Sequence, residues 1–424
     1  MENNICKAPF FTAEIFGAGD VYLCCPSYTK LNAIGNIFTQ SWDEIWNSKD
    51  AIEFRNKIKR ADYSGCNMNY CNPNFFPFCR EVLYVDPSKL DYDNPKVRII
   101  KFSLDRSCNV ACTICRDKIY CNEEKRTEFL NSKIDDVFLP LLEGVEIVNF
   151  TGTGDPFASK HDREFIKRIN QKYPNIRYDF HTNGILCSKD NLEKMGVIDK
   201  LSTIQISLHS ATEDTYNKIV KFGNWKLLNK NLEFLSHLIE QKKLNELQLN
   251  FVVLSENYKD IPEFIQLCKK YHAKAFLWQY RDIEGVYDYD SVNVCYPLHR
   301  EHESFIRIMK DLDTSDPDLF ISPLLRKYTK IKNVEEYLLY SDIFSIQNNE
   351  RYESKNGILG PRLNKIENQI ELLQNQECRD KKQKKVSLLK KLFSIENNYS
   401  GNSKHKIITV LGIKLSFRIR KKGV

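Results

Sequence analysis

The chain has 424 residues, is 42% hydrophobic and 28% charged, and has no apolar run of the ~18 residues that a membrane-spanning helix needs. The net charge of +7 divides unevenly: from Arg379 to Val424 fourteen Lys and Arg oppose two acidic residues, which gives the tail +12 and leaves −5 for the rest. This balance argues against a nucleic-acid groove on the main body. The first residues lack a secretory signal pattern, so we expect a cytoplasmic protein whose fourteen cysteines bind metal more readily than they form disulfides.

Six cysteines lie in the first eighty residues, which contain few branched aliphatic side chains. They are Cys6, Cys24, Cys25, Cys66, Cys71 and Cys79. A short, loop-rich segment of this kind needs a cross-link, and in a reducing compartment a metal centre is the available one. A linker rich in Asp and Pro follows at 86–95.

Six strand-like segments then alternate with helical segments. The strands are predicted at 97–104, 145–150, 176–180, 204–208, 247–254 and 275–280. The clearest helix, 226–243, carries leucines at helical spacing. Alternation of this kind predicts a parallel sheet with right-handed crossovers, and six units are too few for a closed eight-stranded barrel. We therefore predict an α/β fold in which a small cysteine-rich module (1–92) precedes a partial (β/α)6 barrel (93–295).

Three cysteines follow the first predicted strand at the spacing Cys108-x3-Cys112-x2-Cys115. This loop belongs to the carboxyl end of the strands, where barrels of this type carry their chemistry. Three thiolates in one loop suit a single metal centre, and sulfur ligands favour iron–sulfur or zinc. Zinc would need a fourth ligand, for which Cys121 and His161 are candidates without a usual finger spacing. Three ligands alone suggest a 4Fe–4S cluster with one iron open to another molecule.

The CxxxCxxC run after the first strand of a β/α barrel resembles the radical S-adenosylmethionine (radical SAM) superfamily, over about residues 95–285. The resemblance implies that Cys108, Cys112 and Cys115 hold a 4Fe–4S cluster whose open iron chelates the methionine part of SAM. In that family one electron, here expected from a donor such as flavodoxin or ferredoxin, splits SAM into methionine and a 5′-deoxyadenosyl radical. The radical then abstracts hydrogen from a substrate. No catalytic residue beyond the cluster ligands is implied.

Further segments that resemble the family follow the later strands and imply contacts with SAM. Residues 151–156 (TGTGDP) are similar to the Gly-Gly-Glu-Pro loop that holds the SAM amino group, with Thr and Asp at two of its positions. Residues 207–209 are similar to a Ser-Leu-Asp segment, with His209 in place of the acidic residue, and 182–184 form a Thr-Asn-Gly turn common in the family. An aliphatic residue precedes the third cysteine, where the family usually has an aromatic. The implied SAM-binding residues are Thr153, Gly154, Asp155, Ser207, Ile114 and Asn183.

The cysteine-rich start of the chain is similar to the SPASM and twitch modules, which bind auxiliary iron–sulfur clusters. The likeness includes an Ile-Gly-Asn turn at 34–36 and a Glu-Ile-Trp-Asn-Ser segment at 44–48. The module precedes the barrel here instead of following it, and Cys66-x4-Cys71 is wider than the usual spacing. Structural zinc is the alternative. The implied ligands of one auxiliary cluster are Cys6, Cys25, Cys66 and Cys71, with Cys24 and Cys79 as substitutes.

Beyond residue 296 the strand alternation stops, and we predict a helical region over 296–378. Residues 301–312 have a helical pattern. Apolar residues at a 3-4-3 spacing over 363–373 indicate a short helical hairpin or coiled-coil turn.

The basic tail spans 379–424. Residues 384–396 predict a basic amphipathic helix, which could make peripheral contact with an anionic membrane surface. Residues 405–422 predict two short strands around Leu411 and Gly412. The Ile-Leu-Gly-Ile-Lys type of ending resembles tails attached to various bacterial enzymes of surface-glycan assembly.

These features together predict a radical SAM enzyme, cytoplasmic or peripheral at the inner face of the membrane, that oxidises or rearranges an unidentified substrate. The tail favours a sugar or glycan intermediate. Maturation of a peptide is the alternative, although no winged peptide-recognition domain is visible at either end. A third hypothesis, from another class, is a non-catalytic iron–sulfur protein. We expect the amino-terminal module to cover the barrel, which must exclude water around a radical.

Overall fold

The computed structural model describes residues 5–26, 28–29, 31–67, 71, 91–280 and 289–331, together with the backbone of three strands between 393 and 419. The chain divides into two compact units, Met1–Ser345 and Ile346–Val424. None of the described helices combines the length and apolar character needed to cross a lipid bilayer.

The first unit is built on a twisted sheet flanked by helices. Its described strands are β1 Thr12–Phe16, β2 Asp20–Tyr22, β3 Gly35–Asn36, β4 Ile99–Ser103, β5 Ala111–Cys112, β6 Ile147–Phe150, β7 Arg177–Thr182, β8 Leu201–Ser207, β9 Val220–Lys221, β10 Glu246–Val253, β11 Lys274–Gln279 and β12 Leu319–Ile321. Ten of them form one sheet in the order β12-β11-β10-β8-β7-β6-β4-β1-β2-β3, while β5 pairs with β9.

Most of the helices lie between consecutive strands along the chain. The described ones are α1 Trp42–Trp46, α2 Lys49–Lys59, α3 Glu124–Ser132, α4 Lys160–Lys172, α5 Lys189–Lys194, α6 Glu213–Ile219, α7 Trp225–Glu240, α8 Ile261–Lys270, α9 Tyr289–Val292, α10 His302–Lys310 and α11 Pro323–Tyr328. The helix α7 shows why they form: Asn224 caps its amino end by accepting from the Leu227 N–H at 2.9 Å, and four of its leucines are buried, namely Leu228, Leu232, Leu235 and Leu238.

The predicted parallel sheet is confirmed, and it is wider than expected. All six predicted strands are present as β4, β6, β7, β8, β10 and β11, each pairing in parallel with its neighbour. Two further parallel strands flank them, because β1 pairs with β4 and β12 pairs with β11. The amino-terminal region therefore contributes to the same sheet as the barrel, and β12 lies where the strand alternation was expected to have stopped.

A buried arginine fastens the amino-terminal region together. Arg55, on α2, donates through Nε to the Pro9 carbonyl at 2.8 Å and through Nη1 to the Trp46 carbonyl at 2.7 Å. Its guanidinium lies 4.0 Å from the centroid of the Trp46 ring, and burial lowers its pKa to about 10. The Trp46 indole donates in turn to the Pro95 carbonyl at 2.6 Å. These contacts join α1, α2 and the segment that enters β4.

The second unit contains three antiparallel strands, β13 Phe393–Ser400, β14 Ser403–Val410 and β15 Ile413–Ile419. The two strands predicted around residues 411–412 are confirmed as β14 and β15. The helix predicted at 384–396 is wrong over 393–396, because these residues begin β13 and pair with the end of β14. Residues 384–392 and the helical hairpin at 363–373 lie outside the described residues. The helix predicted at 301–312 is confirmed as α10.

Candidate metal centre

The cysteine run forms the loop between β4 and α3, at the carboxyl ends of the parallel strands. The Cys108 N–H donates to the Tyr120 carbonyl at 2.8 Å. The short strand β5, which includes Cys112, pairs with β9 directly after α6. The Cys115 N–H donates to the Cys112 carbonyl at 2.9 Å and closes a tight turn. Backbone pairing therefore sets the position of each of the three cysteines.

The three thiols lie close enough together to interact electrostatically. Removal from water raises the pKa of the Cys112 thiol, and negative charge on Cys108 and Cys115 raises it further. Burial also raises the pKa of Cys108. Thiolates gathered in this way repel one another unless a cation lies between them, and iron would replace their protons on binding. The donor set fits an iron–sulfur cluster, since cysteine thiolates are its usual ligands.

Arg116 joins the cysteine loop to the neighbouring glycine-containing loop. Its guanidinium is hydrogen-bonded to the Cys115 sulfur. It also donates to the Arg106 carbonyl at 2.7 Å and to the Thr153 carbonyl at 2.9 Å. Burial alone would lower the pKa of Arg116, but the bond to Cys115 and the nearby thiols raise it overall. A permanent positive charge thus lies beside the sulfur atoms and favours their deprotonated form.

The glycine-containing loop after β6 crosses the cysteine loop at very short range. A Cβ atom on Gly154 would lie 2.6 Å from the carbonyl oxygens of both Asp105 and Ser107. The Asp155 N–H donates to the Ser107 carbonyl at 2.7 Å, and Thr153 Oγ1 donates to the Asp105 carbonyl at 3.3 Å. Glycine is required at this crossing because any side chain would displace backbone atoms.

Asp155 is buried, and its carboxylate holds two strand ends together. Its Oδ2 accepts from Thr182 Oγ1 at 2.7 Å and from the Asn183 N–H at 2.8 Å, while Oδ1 accepts from the Phe157 N–H at 3.0 Å. Burial raises the pKa of Asp155 even though these bonds act to lower it. The side chain implied to contact SAM is therefore directed towards the loop after β7.

Asn183 and Ser207 lie at the carboxyl ends of β7 and β8. Asn183 Nδ2 donates to Asn109 Oδ1 at 2.8 Å and contacts Cys108 Sγ at 3.7 Å, which places this amide directly against the cysteine loop. Ser207 Oγ is hydrogen-bonded to His181 Nε2 at 3.0 Å. Both Ser207 and Ile114, within the cysteine loop, are half-buried. The structure thus gathers the implied SAM-binding residues around the ends of β4, β6, β7 and β8.

His209, which replaces an acidic residue in the family-like segment, has a structural position. Its backbone is left-handed, with φ of 61°, and its Nδ1 accepts from the Val252 N–H at 3.1 Å. Its carbonyl accepts from Asn257 Nδ2 at 2.8 Å. Burial lowers the pKa of His209 to about 3, and His181 adds to this effect. The ring is therefore neutral at physiological pH and supports the turn that follows β8.

The amino-terminal cysteines converge around one tyrosine. Burial raises the pKa of Tyr63, whose hydroxyl is bonded to the Cys6 backbone, and the thiols of Cys6, Cys66 and Cys71 raise it as well. The Tyr28 N–H donates to the Cys25 carbonyl at 2.8 Å, and the Tyr28 carbonyl accepts from the Asn67 N–H at 2.9 Å, next to Cys66. The four favoured ligands therefore lie in neighbouring loops. Cys24 is half-buried in the same loop, and Cys79 lies outside the described residues.

The other candidate ligands differ from the three cysteines in their surroundings. In the part of the chain that the structure describes, no group of three or more His, Cys, Asp or Glu side chains is arranged to hold a single metal ion. A cluster distributes its cysteine ligands over several iron atoms and so does not need them around one point. Cys121 is exposed, and His161 is buried on α4, where Nδ1 is bonded to Asn131 Oδ1 at 2.8 Å. A surface cleft of about 890 Å³ between α4 and α5 is lined by none of these cysteines.

Comparison with known families identifies two regions of the chain. Residues 103–268 match the radical SAM superfamily, and residues 6–72 match the SPASM iron–sulfur cluster-binding domain. The chain therefore contains a radical SAM domain preceded by a SPASM domain. A radical SAM domain takes a 4Fe–4S cluster and SAM, and a SPASM domain takes auxiliary iron–sulfur clusters. The thiols gathered in the two regions fit these groups, and for the amino-terminal region this favours iron–sulfur over zinc.

Individual relatives resemble only part of the chain. The FeMo cofactor biosynthesis protein NifB of Methanocaldococcus infernus is 28% identical over 186 residues, 39% of this chain and 60% of the relative. A probable GTP 3′,8-cyclase of Methanocaldococcus jannaschii is 26% identical over 180 residues, 41% of this chain and 56% of the relative. The chain thus spans less than two thirds of each. Among solved structures, Streptococcus suis SuiB bound to S-adenosylmethionine aligns over 66% of this chain and 60% of that chain, with 16% identity and a TM-score of 0.35.

Two residues of the site were missed by the sequence analysis. Arg116 follows the third cysteine in the sequence. Its role depends on a hydrogen bond to the Thr153 carbonyl on another loop, and no local sequence spacing indicates that contact. His181 lies at the end of β7, with Ser207 on one side and Gly152 on the other. His181 directly follows the strand predicted at 176–180 and precedes Asn183 by two residues. This position is the sequence feature that could have identified it as a site residue.

Substitution of Gly154 by Ala tests the close crossing of the two loops. The added methyl group would meet two backbone carbonyl oxygens at 2.6 Å, so we expect a loss of about 2 kcal/mol in the free energy of unfolding and lower iron retention after anaerobic reconstitution. Urea unfolding and iron analysis measure these effects. Gly144→Asn is the matched control, because no atom lies within 4 Å of its added Cβ and Asn tolerates the positive φ. Equal stability and iron content in the two variants would contradict this account.

The buried His209 predicts a specific loss of stability in acid. Its folded-state pKa of about 3 lies below the unfolded value of about 6.5. As the pH falls, His209 therefore takes up its proton first in the unfolded state. The contribution of the buried, neutral ring to the free energy of unfolding is complete above about pH 6.5 and is lost as the pH falls towards 3. At pH 5 the loss is about 2 kcal/mol. His209→Asn, which tolerates the left-handed backbone, should lose correspondingly less between pH 7.5 and pH 5 in urea unfolding.

His237→Asn is the control for this experiment. His237 lies on α7 with its side chain 72% exposed, so its replacement should leave the pH dependence of the wild-type protein in place. An identical loss of stability on acidification in the wild type, His209→Asn and His237→Asn would refute the assignment.

Proposed function

We propose that this chain is an enzyme that cleaves SAM reductively and uses the resulting radical to oxidise or rearrange a polar substrate. The observation that carries the proposal is the convergence of Cys108, Cys112 and Cys115, with Arg116 beside them, at the carboxyl ends of the parallel strands. A bound 4Fe–4S cluster and SAM would supply a 5′-deoxyadenosyl radical for hydrogen abstraction.

The chain's own residues would position the cofactors. The three cysteines would hold the cluster, and Asn183 would orient the first of them through its contact with Cys108 Sγ. Gly154 lets the loop after β6 lie directly against the backbone of the cysteine loop. We assign SAM contacts to the group named from the sequence. They are Thr153, Gly154, Asp155, Ser207, Ile114 and Asn183. For Asp155 the bonds within the fold support an indirect role, through the backbone of Asn183.

An auxiliary cluster would be held by Cys6, Cys25, Cys66 and Cys71. The last of these packs in one apolar cluster with Phe276 of β11 and Phe320 of β12. Such a position brings the amino-terminal module across the sheet, which supports its role as the cover of the barrel. An iron–sulfur cluster there would accept an electron from a substrate radical and so permit net oxidation by two electrons.

A sugar or glycan intermediate is the substrate class that we favour. The tail that resembles those of surface-glycan enzymes supports it. The names of the two curated relatives, a cofactor-biosynthesis protein and a probable GTP cyclase, also point to non-peptide substrates. Peptide maturation is the second candidate, supported by the SPASM domain. The cell would supply the electron through a donor such as flavodoxin or ferredoxin.

Substitution of Cys112 by Ala tests the proposed activity. Loss of one of three cluster ligands should reduce formation of 5′-deoxyadenosine from SAM by at least about 10³-fold, because the step has no other route. Iron bound by the amino-terminal module should persist. Anaerobic reconstitution, iron analysis and chromatography of 5′-deoxyadenosine measure both quantities.

Cys121→Ala is the matched control, since this thiol lies later in the same loop and is exposed. It should retain cleavage. Retained cleavage in Cys112→Ala would count against the ligand assignment. Binding of SAM by the reduced wild-type protein without any 5′-deoxyadenosine would instead favour the non-catalytic iron–sulfur protein.

We also propose that residues 379–424 place the protein at the inner face of an anionic membrane. Their charge of +12 supports electrostatic attraction, which is worth about 1 kcal/mol for each basic residue close to the surface. Deletion of these residues should lower co-sedimentation with phosphatidylglycerol-containing vesicles by at least about tenfold and leave SAM cleavage intact. Phosphatidylcholine vesicles are the control. An unchanged bound fraction after the deletion would reject the proposal.

A further inference from the structure

The face of the sheet opposite the helices is polar. On the helix side, Phe102 of β4 and Phe150 of β6 pack on Phe165 of α4, with ring centroids 5.0 and 6.0 Å apart. Phe251 of β10 likewise packs on Phe264 of α8 at 4.8 Å. Because successive side chains of a strand alternate between faces, the residues between these aromatic ones point to the other, concave face.

A row of polar residues crosses this concave face at mid-strand. Glu14, Lys101, Asn149 and Asp179 lie directly opposite one another on β1, β4, β6 and β7. All except Lys101 are buried. Barrels of this type usually fill their interior with branched aliphatic side chains. Charged and amide groups at this depth are costly to bury unless they have hydrogen-bond or ion-pair partners.

Three amide atoms on this face have no hydrogen-bond partner among the described residues. They are Asn149 Oδ1, Gln248 Oε1 and Asn250 Nδ2. The residues that carry them are only 6%, 2% and 5% exposed, respectively. Asn250 Oδ1, in contrast, accepts from both Gln248 Nε2 at 2.8 Å and Trp278 Nε1 at 3.0 Å. The amides of β10 are thus held in place while one buried donor and one buried acceptor lack a partner among the described residues, and an added molecule would satisfy them.

The chemistry of this face selects the ligand. Two carboxylates, Glu14 and Asp179, share this row with one lysine, so an anionic group such as phosphate would be repelled at the floor of the sheet. Amide donors and acceptors beside an indole suit a ring with hydroxyl groups at its edge and C–H groups on its face. The half-buried Trp278 stacks with Phe276 and is packed near Tyr28 and Cys71 of the amino-terminal module, which bounds the site on that side.

We propose that this concave face binds a neutral sugar ring of the substrate, through Asn149, Gln248 and Asn250, with Trp278 alongside. This inference rests on the proposed radical SAM function, because it assigns the substrate class of the same barrel. The cysteine loop lies at the carboxyl ends of the strands that carry these residues. A ring bound at mid-strand therefore has its exposed edge towards the site where SAM would be cleaved.

Saturation-transfer NMR on the anaerobically reconstituted holoprotein with SAM tests this site. The probe is UDP-N-acetylglucosamine, with UMP and a capped mixed-sequence decapeptide as comparisons. We expect saturation of the sugar protons above that of the uracil protons, and no specific binding of UMP. Asn149→Leu should weaken binding of the probe about tenfold, since it removes a partner and leaves a ligand hydroxyl unpaired. Trp278→Phe, which keeps an aromatic ring, should weaken it by a smaller factor.

Asn175→Leu is the control, because this asparagine is exposed before β7 at the other end of the sheet. It should bind the probe like the wild type. The inference would be overturned by any of three results. These are specific binding of UMP with equal saturation of the sugar and uracil protons of the probe, absence of sugar binding, and unchanged affinity for the probe in both Asn149→Leu and Trp278→Phe. Binding of the peptide that is lost in these variants would also overturn it, in favour of a peptide ligand. Wild-type protein that cleaves SAM but binds no sugar disproves this inference alone, whereas sugar binding without cleavage disproves the proposed function alone.

Discussion

The structure depends on the close crossing of two loops at the ends of β4 and β6. Gly154 permits the crossing because a side chain there would collide with backbone oxygens. The guanidinium of Arg116 then bridges the loops and lies against the Cys115 sulfur. Three thiols that would otherwise repel one another are thereby held together beside a fixed positive charge. Because of this constraint, three cysteines that are close in sequence form a candidate metal centre.

The amino-terminal module is continuous with the barrel. Its first strand pairs with β4, which also leads into the cysteine loop, and Cys71 packs against the far strands β11 and β12. One short segment therefore reaches both sides of the concave face. The two groups of cysteines border the same polar surface, which gives a physical reason for the module to precede the barrel without losing contact with its interior.

The sequence predicted what depends on local pattern and missed what depends on distant partners. Alternating apolar segments located six strands because each has its own β propensity. The strand β1, in contrast, is five residues within a cysteine-rich segment and is stabilised by pairing with β4, far along the chain. Residues 393–396 have a pattern compatible with a helix, but pairing with β14 makes them a strand. Arg116 and the amides of β10 act through tertiary contacts, which no motif spacing records.

The central claim is that Cys108, Cys112 and Cys115 hold a 4Fe–4S cluster with one iron open to SAM. Electron paramagnetic resonance of the reduced, anaerobically reconstituted protein, recorded with and without SAM, tests it most directly. The account predicts a reduced 4Fe–4S signal that changes shape when SAM is added. A spectrum that SAM leaves unaltered, or zinc in place of iron at these cysteines, would contradict it.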